Sequence, residues 1–326
     1  MVAACVAHTG SGAWQALPEV LAALRPRFGR LPLYPAGEPG EARALASMLA
    51  QECDLLVVFG GDGTVHEVVN GLPLGPDREA PVVAVLPGGT GNDLVRGLGL
   101  PPDPVAAARV MADCRPRRLD LLDCDGRRAV NGINAGFAAA ATERLSRKAK
   151  RSLGPLAYVV GGVIAAVDPP TWQARVEVDS ELVEGEALAV VVVGNGGSFG
   201  GGRWLLPEAD LSDGMLDVLV VPAAAFKARL GRALTRNRLP PGLPRLRGQS
   251  ATLATDMPCR LDGEPAPTPS SVSVLAAVWQ VLAPPAAPDA KRPSPHPVSV
   301  NENSGPFFRL ILARAAQGLY RRSPAC

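Results

Sequence analysis

Two stretches of the chain gather the residue types that phosphate chemistry needs: GGDGT at 60–64 and PGGTGND at 87–93. Each follows a short apolar run, 55–59 and 82–86, rich in β-branched residues, as expected of strands buried on both faces. Glycine lets a backbone approach a phosphate closely, and the N–H groups and positive dipole end of a helix stabilise the anion. After the first loop, Val65, Val68, Val69 and Leu72 fall at i, i+3, i+4 and i+7, one stripe of a helix. Thr64 is the expected N-cap of that helix, Glu67 completes a capping-box spacing, and Gly71 is the expected C-cap. The second loop, Gly88, Gly89, Thr90 and Gly91, leads into Asn92 and Asp93, which open another short helix. Two such loops beyond the ends of neighbouring parallel strands would hold a nucleotide's phosphate chain from two sides. Asp62 has two open roles. Beside a phosphate its carboxylate needs a magnesium ion between them, or a proton taken from the attacking group; the plainer alternative is that it caps a turn. Neither loop fits G-x-G-x-x-G or G-x-x-x-x-G-K-[ST], which argues against an ordinary dinucleotide or Walker-type site.

Placing two loops side by side requires a sheet with parallel strands, and the chain is long enough to build one. Its 326 residues, 47% of them hydrophobic, favour two domains over one. Up to about residue 120 strand and helix patterns alternate, with a helix at 43–50 before the strand at 55, as in a doubly wound α/β domain. From about 121 to 282 short β-rich runs dominate, at 187–193, 216–221 and 272–275, with Gly, Pro and Asp between them; this predicts a sheet-rich second domain. Residues 284–306 are rich in proline and poor in apolar residues, a linker pattern.

Composition narrows the function. Residues 1–7 lack the basic start of a secretory signal, and the gently apolar stretch 156–167 is too short to span a bilayer, so a cytoplasmic protein is expected. Six cysteines are scattered without C-x-x-C spacing and read as reduced thiols packed as small apolar residues. Three histidines supply neither a histidine-rich metal site nor, readily, a Ser-His-Asp triad. A net charge of +2 and 4% aromatic residues argue against nucleic acid as a partner. The positive excess lies in the tail, where residues 284–326 hold six Lys/Arg against two acidic residues. Phe307, Phe308, Leu310, Ile311, Leu312, Leu319 and Tyr320 stand among its arginines, a pattern that fits an interfacial helix on an anionic membrane or a helix docked on the first domain. The basic stretches 144–151 and 226–249 are solvated surface or contacts for anionic lipid or nucleotide phosphate.

Six motifs in one order, GGDGT at 60–64, PGGTGND at 87–93, NAGFAAA at 134–140, GPLAY at 154–158, PEADLSDGMLDVLVV at 207–221 and DGE at 262–264, resemble the diacylglycerol kinase catalytic-domain family. That family includes bacterial lipid kinases and sphingosine kinases, and shares its GGDG loop and fold with NAD kinases. The resemblance spans roughly residues 1–283. It implies α/β plus all-β architecture: a nucleotide-binding domain at 1–120, rejoined by the chain at about 276–283 and, in one reading of the tail, at 307–322; a β-sandwich lipid-substrate domain at 121–275; and the active cleft between them. A proline-rich linker (284–306) and a basic amphipathic tail (307–326) follow. The implied cofactors are ATP and Mg2+. Gly60, Gly61, Gly63, Thr64, Glu67, Gly88, Gly89, Thr90 and Asn92 would hold the nucleotide, with Asp62 anchoring the metal.

Glu264 of DGE would be the base that takes the lipid hydroxyl's proton, a role sphingosine kinases give to the aspartate of the first glycine loop, here Asp62; a surface hairpin is the alternative reading of DGE. Asp213 matches a second, structural metal position in some bacterial members, or closes a plain β-turn. Where the family has Asn-Pro and then Ser-Gly-Lys, this chain has HTGSGAW, with His8, Thr9 and Ala13 at those places, leaving Lys150 or Arg151 to supply the phosphate-facing cation. The expectation is an ATP-dependent kinase of diacylglycerol or a related lipid alcohol, cytoplasmic and attached peripherally to the inner membrane face, with a homodimer left open. A catalytically weak nucleotide- or lipid-binding module is the alternative of another class. A soluble NAD kinase is disfavoured by TVHEVVNG and SDGMLDV.

Overall fold

The computed structural model describes residues 1–74, 80–137, 139–140, 170–226 and 243–285. The N-terminal part alternates as expected: β1 (Ala3–His8), a short 3-10 turn (Trp14–Ala16), α1 (Leu17–Phe28), β2 (Leu33–Ala36), α2 (Glu41–Leu49), β3 (Leu55–Gly60), α3 (Asp62–Gly71), β4 (Val82–Pro87), α4 (Asp93–Gly97) and α5 (Pro104–Val110). The strands run parallel in the order β4-β3-β1-β2. With right-handed crossovers this order sends α1 to one face and α2 and α3 to the other, and the packing agrees: α1 lies on α5, α2 on α3. Covered on both sides, β3 is buried at all six positions, which is why its sequence is continuously apolar rather than alternating.

The second part is a β-sandwich built from β5 (Arg115–Cys124), β6 (Arg127–Ala129), β7 (Gly132–Gly136), β8 (Trp172–Val178), β9 (Glu181–Gly194), the small hairpin β10 (Ser198–Phe199) and β11 (Arg203–Trp204), β12 (Leu216–Pro222), β13 (Arg245–Gly248), β14 (Ser250–Thr255), β15 (Cys259–Leu261), β16 (Glu264–Ala266) and β17 (Ser271–Ala283). The valine run of β9 alternates between two cores, Val191 and Val193 on one side and Val192 on the other. Two long strands join the halves. Leu119 and Leu121 of β5 lie in the α/β core and Leu122 and Cys124 in the sandwich core, while β17 carries Val272 in the second core and Trp279, Val281, Leu282 and Ala283 in the first. β17 there pairs antiparallel with β5 and parallel with β4. Where β17 changes cores it bulges at Ala277, whose φ of +54° is held by the buried Asp120: one carboxylate oxygen accepts Ala277 N–H and the other Gly214 N–H, each at 2.7 Å.

Among the described residues, no helix is long and apolar enough to cross a membrane. The basic stretch 144–151, the GPLAY motif, the apolar stretch 156–167, Lys150 and Arg151, most of 226–249 and the chain beyond 285, with its linker and tail, lie outside the described residues.

The first helix signals are assigned differently by the structure. The N-cap of α3 is Gly61, not Thr64, which sits in the helix's first turn with its side chain buried. Glu67 closes no capping box; its Oε1 accepts Gly40 N–H at 2.9 Å, at the start of α2. Gly71 is the last helical residue rather than a left-handed cap, and the cap, Leu72, is extended. Its lack of a side chain serves helix packing instead, because a Cβ there would overlap the Arg43 carbonyl oxygen and meet the Arg43 carbonyl carbon at 3.0 Å and Ala46 Cβ at 3.1 Å on α2. Gly71→Ala should therefore force the two helices apart and destabilise the fold by about 1–3 kcal/mol. Thermal unfolding should show a midpoint several degrees lower; an unchanged midpoint would mean the helices separate freely.

Candidate active site

β3 and β4 end side by side, Gly60 paired with Pro87, and both chains then turn into helix N-termini. The turns touch through backbone. A Cβ on Gly89 would stand 2.6 Å from Gly61 Cα, and one on Gly88 would stand 3.0 Å from Gly60 Cα and 2.8 Å from Ser11 Oγ. Gly88 N–H donates to Gly60 O at 2.8 Å, and Ser11 Oγ–H to Gly88 O at 2.6 Å, so the HTGSGAW segment after β1 buttresses the second loop from the side. The open end of α3 presents the N–H groups of its first turn, where the helix has no acceptors of its own. Thr64 adds a buried hydroxyl oxygen with no hydrogen-bond partner among the described residues, packed over Gly60.

The second loop is shaped from within. Asn92, at φ +54°, accepts Gly89 N–H at 3.1 Å and donates to Gly89 O at 2.7 Å, so its side chain builds the loop. Thr90 is exposed. Asp62 Oδ1 accepts Asp93 N–H at 2.7 Å, and its other oxygen would overlap any Cβ on Gly91. The Asp93 carboxylate in turn accepts Ser198 Oγ–H at 2.6 Å and Gly202 N–H at 2.9 Å, binding the loop to the small hairpin of the sandwich. Burial, then the neighbouring Asp93 charge and more weakly that of Asp262, push the Asp62 carboxyl up to about 6, against the opposing Asp93 N–H bond. Among the described residues no Lys, Arg or His pairs with Asp62. A cation that sequence reasoning passed over, Arg96, touches the second loop. Its Nε donates to Gly91 O at 3.2 Å, and its guanidinium fills the space that a side chain at Gly202 would take.

Glu264, 200 residues further along the chain than Thr64, arrives at the same place. β15 and β16 form a tight hairpin whose turn residues, Asp262 and Gly263, have φ of +49° and +91°, a primed two-residue turn. The turn lays the Glu264 carboxylate beside the α3 N-terminus: a Cβ on Gly63 would be 2.8 Å from Glu264 Oε1. Asp262 itself is buried, accepting His66 Nδ1–H at 2.9 Å, Val130 N–H and Asn131 N–H at 2.8 Å and Gly132 N–H at 3.1 Å.

Of the residues singled out from sequence, Gly60, Gly61, Asp62, Gly63, Thr64, Gly88, Gly89, Thr90, Asn92 and Glu264 come together on these two loops and the hairpin. Glu67 points instead at the start of α2. Asp213 lies apart from them: it pairs with Arg247 and accepts Met215 N–H at 3.1 Å, which are the contacts of a closed turn. Among the described residues, no group of three or more His, Cys, Asp or Glu is gathered to hold a metal by itself. A magnesium ion at Asp62 would therefore complete its shell with phosphate oxygens and water, its usual habit. Ser11, His66, Asp93, Asp262 and Ser198 were missed because their partners are remote in sequence.

Comparison with known proteins agrees with the two-part fold. The model of the diacylglycerol kinase catalytic domain matches residues 5–124, and that of the YegS C-terminal NAD kinase beta sandwich-like domain matches residues 131–283. A diacylglycerol kinase of Staphylococcus saprophyticus is 31% identical over 256 residues, covering 76% of this chain and 83% of that protein. A Pseudomonas aeruginosa protein named "Probable lipid kinase YegS-like" is 38% identical over 186 residues, 57% of this chain and 60% of its own length. The crystal structure of a diacylglycerol kinase from Bacillus anthracis superposes with a TM-score of 0.72 at 27% identity, covering 87% of this chain and 98% of that one. By these matches the chain belongs to the diacylglycerol kinase family of lipid kinases.

Proposed function

We propose that this protein transfers the γ-phosphoryl group of ATP to the hydroxyl of diacylglycerol or a related lipid alcohol. The observation that carries the reading is the placement of Glu264: a carboxylate on a tight turn, standing over Gly63 at the open end of a helix whose loop holds Asp62. Phosphoryl transfer asks a protein for positioning and charge neutralisation more than for covalent chemistry. The N–H groups at the start of α3 and the glycine backbone of both loops suit phosphate oxygens. Asp62 would hold Mg2+, which when bound neutralises phosphate charge. Glu264 takes the proton as the lipid oxygen bonds to the γ-phosphorus and the bond to the bridging oxygen of ADP breaks. The alternative, a weak binding module, draws on the absence of a lysine at Ala13; the presence of both Asp62 and Glu264 at one site favours catalysis. Incubation with labelled ATP, Mg2+ and a panel of lipid alcohols should give a labelled phospholipid, and an NAD panel should not.

Asp62→Asn retains an oxygen for Asp93 N–H but loses the charge, so phosphoryl transfer should be abolished while the fold gains stability, on the order of 1–3 kcal/mol above pH 6, from removing a partly buried, repelled carboxylate. Near-normal turnover would reject the role. The same group sets a pH dependence. Its folded pKa, about 6, lies above the ordinary 3.8, so its contribution to stability is fully present below about 3.8 and is lost as pH rises through 6. Mg2+ should accordingly raise the melting temperature of the wild type more above pH 6 than below it, and should do so hardly at all in Asp62→Asn; equal shifts in both proteins would place the cation elsewhere.

Glu264→Gln should lower kcat by about 10²–10⁴-fold, the usual contribution of a positioned base, with ATP affinity little changed. An effect on ATP binding alone would move the base to another residue.

The basic tail favours work at an anionic membrane surface, with each Lys or Arg near the surface adding on the order of 1 kcal/mol. Deleting residues 301–326 should weaken sedimentation with anionic vesicles and raise the apparent KM for lipid, leaving activity on a short soluble alcohol unchanged. Loss of both activities with a lower melting temperature would make the tail part of the folded first domain.

A further inference from the structure

His66 and Asp262 form a buried polar pair one layer behind the two carboxylates. His66 stands on α3 one turn after Asp62, and Asp262 immediately precedes Gly263 and Glu264 in the hairpin turn. Asp followed by Gly is a pair that a primed two-residue turn favours, and the surroundings hold it further. Here four donors converge on one carboxylate. Three of them, the N–H groups of Val130, Asn131 and Gly132, belong to the strand region that already pairs with the hairpin. The fourth, His66 Nδ1–H, comes from the helix that carries Asp62 and Gly63. It is the one of the four that ties the turn to the nucleotide side of the site.

The docking of α3 on β6 does not rest on this bond. Asn70 donates to Arg128 O at 2.9 Å and accepts Arg128 N–H at 3.0 Å, and the Arg128 guanidinium reaches Leu72 O at 2.8 Å. Removing the imidazole thus unties the turn from α3, leaving it on the three backbone donors, while the helix stays anchored one turn further on.

We propose that His66 is a positioning residue for phosphoryl transfer: by donating Nδ1–H to Asp262 it fixes the shape of the 262–264 turn and so the seat of the Glu264 carboxylate over Gly63. The proposal deepens the kinase reading and rests on it for its effect on turnover. Asn at position 66 offers an amide N–H at about the reach of Nδ1, whereas Gln carries its amide past that point and Leu carries none.

In the full-length protein, His66→Leu and His66→Gln should lower kcat for lipid phosphorylation by about tenfold or more, since small misplacements of catalytic groups cost that much, with KM for ATP within about twofold. His66→Asn should recover most of the rate. Amide hydrogen exchange of the same proteins, without substrates, should be faster at 130–132 and 262–264 in the Leu and Gln variants and near wild type in the Asn variant. Unchanged kcat with unchanged exchange, or equal losses in all three variants, would overturn the proposal. If His66→Leu fails to fold, the contrast between Gln and Asn decides. If the wild type phosphorylates no lipid, the kinase reading fails, and the exchange pattern still decides whether His66 sets the turn.

Discussion

Gly61 and Gly89 approach so closely that no side chain fits between them, and the rest of the site is arranged around that contact. With the ends of β3 and β4 in backbone contact, α3 and α4 begin next to each other, and Asp93 N–H falls within reach of Asp62. The Asp93 carboxylate, on the far side, then reaches Ser198 and Gly202 of the sandwich. A line of hydrogen bonds therefore runs from the first glycine loop through the second into the other half of the molecule. A methyl group at Gly89 would stand 2.6 Å from Gly61 Cα and force the two loops apart at their narrowest point.

Electrostatics at the site work against stability. Asp62 is partly withdrawn from water beside two other carboxylates, an arrangement that disfavours its charge. Two non-glycine residues with left-handed backbone, Asn92 and Asp262, stand in the flanking turns. Each is held by its own side chain, Asn92 through two bonds to Gly89 and Asp262 through four donors. The strain is local and fully bonded, and it sets the two turns that shape the site.

The strands around residues 55–59 and 82–86 were legible because burial on both faces leaves a continuous apolar run, and the glycine loops because their spacing has few other uses. Helix ends were less legible. Thr64 and Glu67 have the right types for a capping box, but the chain already turns at Gly61, and Glu67 is drawn to a free N–H at Gly40, 27 residues away. The His66–Asp262 bond spans 196 positions, and nothing local in TVHEVVNG announces it. A signal did exist in the helical period, since His66 lies one turn from Asp62, off the apolar stripe of Val65, Val68, Val69 and Leu72. Ala277 and Asp120 are illegible for the same reason: their partnership depends on where β17 changes cores.

β5 and β17 each enter both cores, and this bears on modularity. The two family matches meet at residues 124 and 131, which invites treating the chain as two exchangeable pieces. The hydrogen-bonded ladder between β5 and β17 runs from Cys124–Val272 to Arg115–Ala283, straight across that boundary. A chain cut there would take β17 from the edge of the α/β sheet and leave Leu119 and Leu121 without the cover of Trp279 and Leu282. The halves are thus separate in sequence signature but mechanically a single beam, so grafting one onto a different partner would need to carry a strand from the far end of the other.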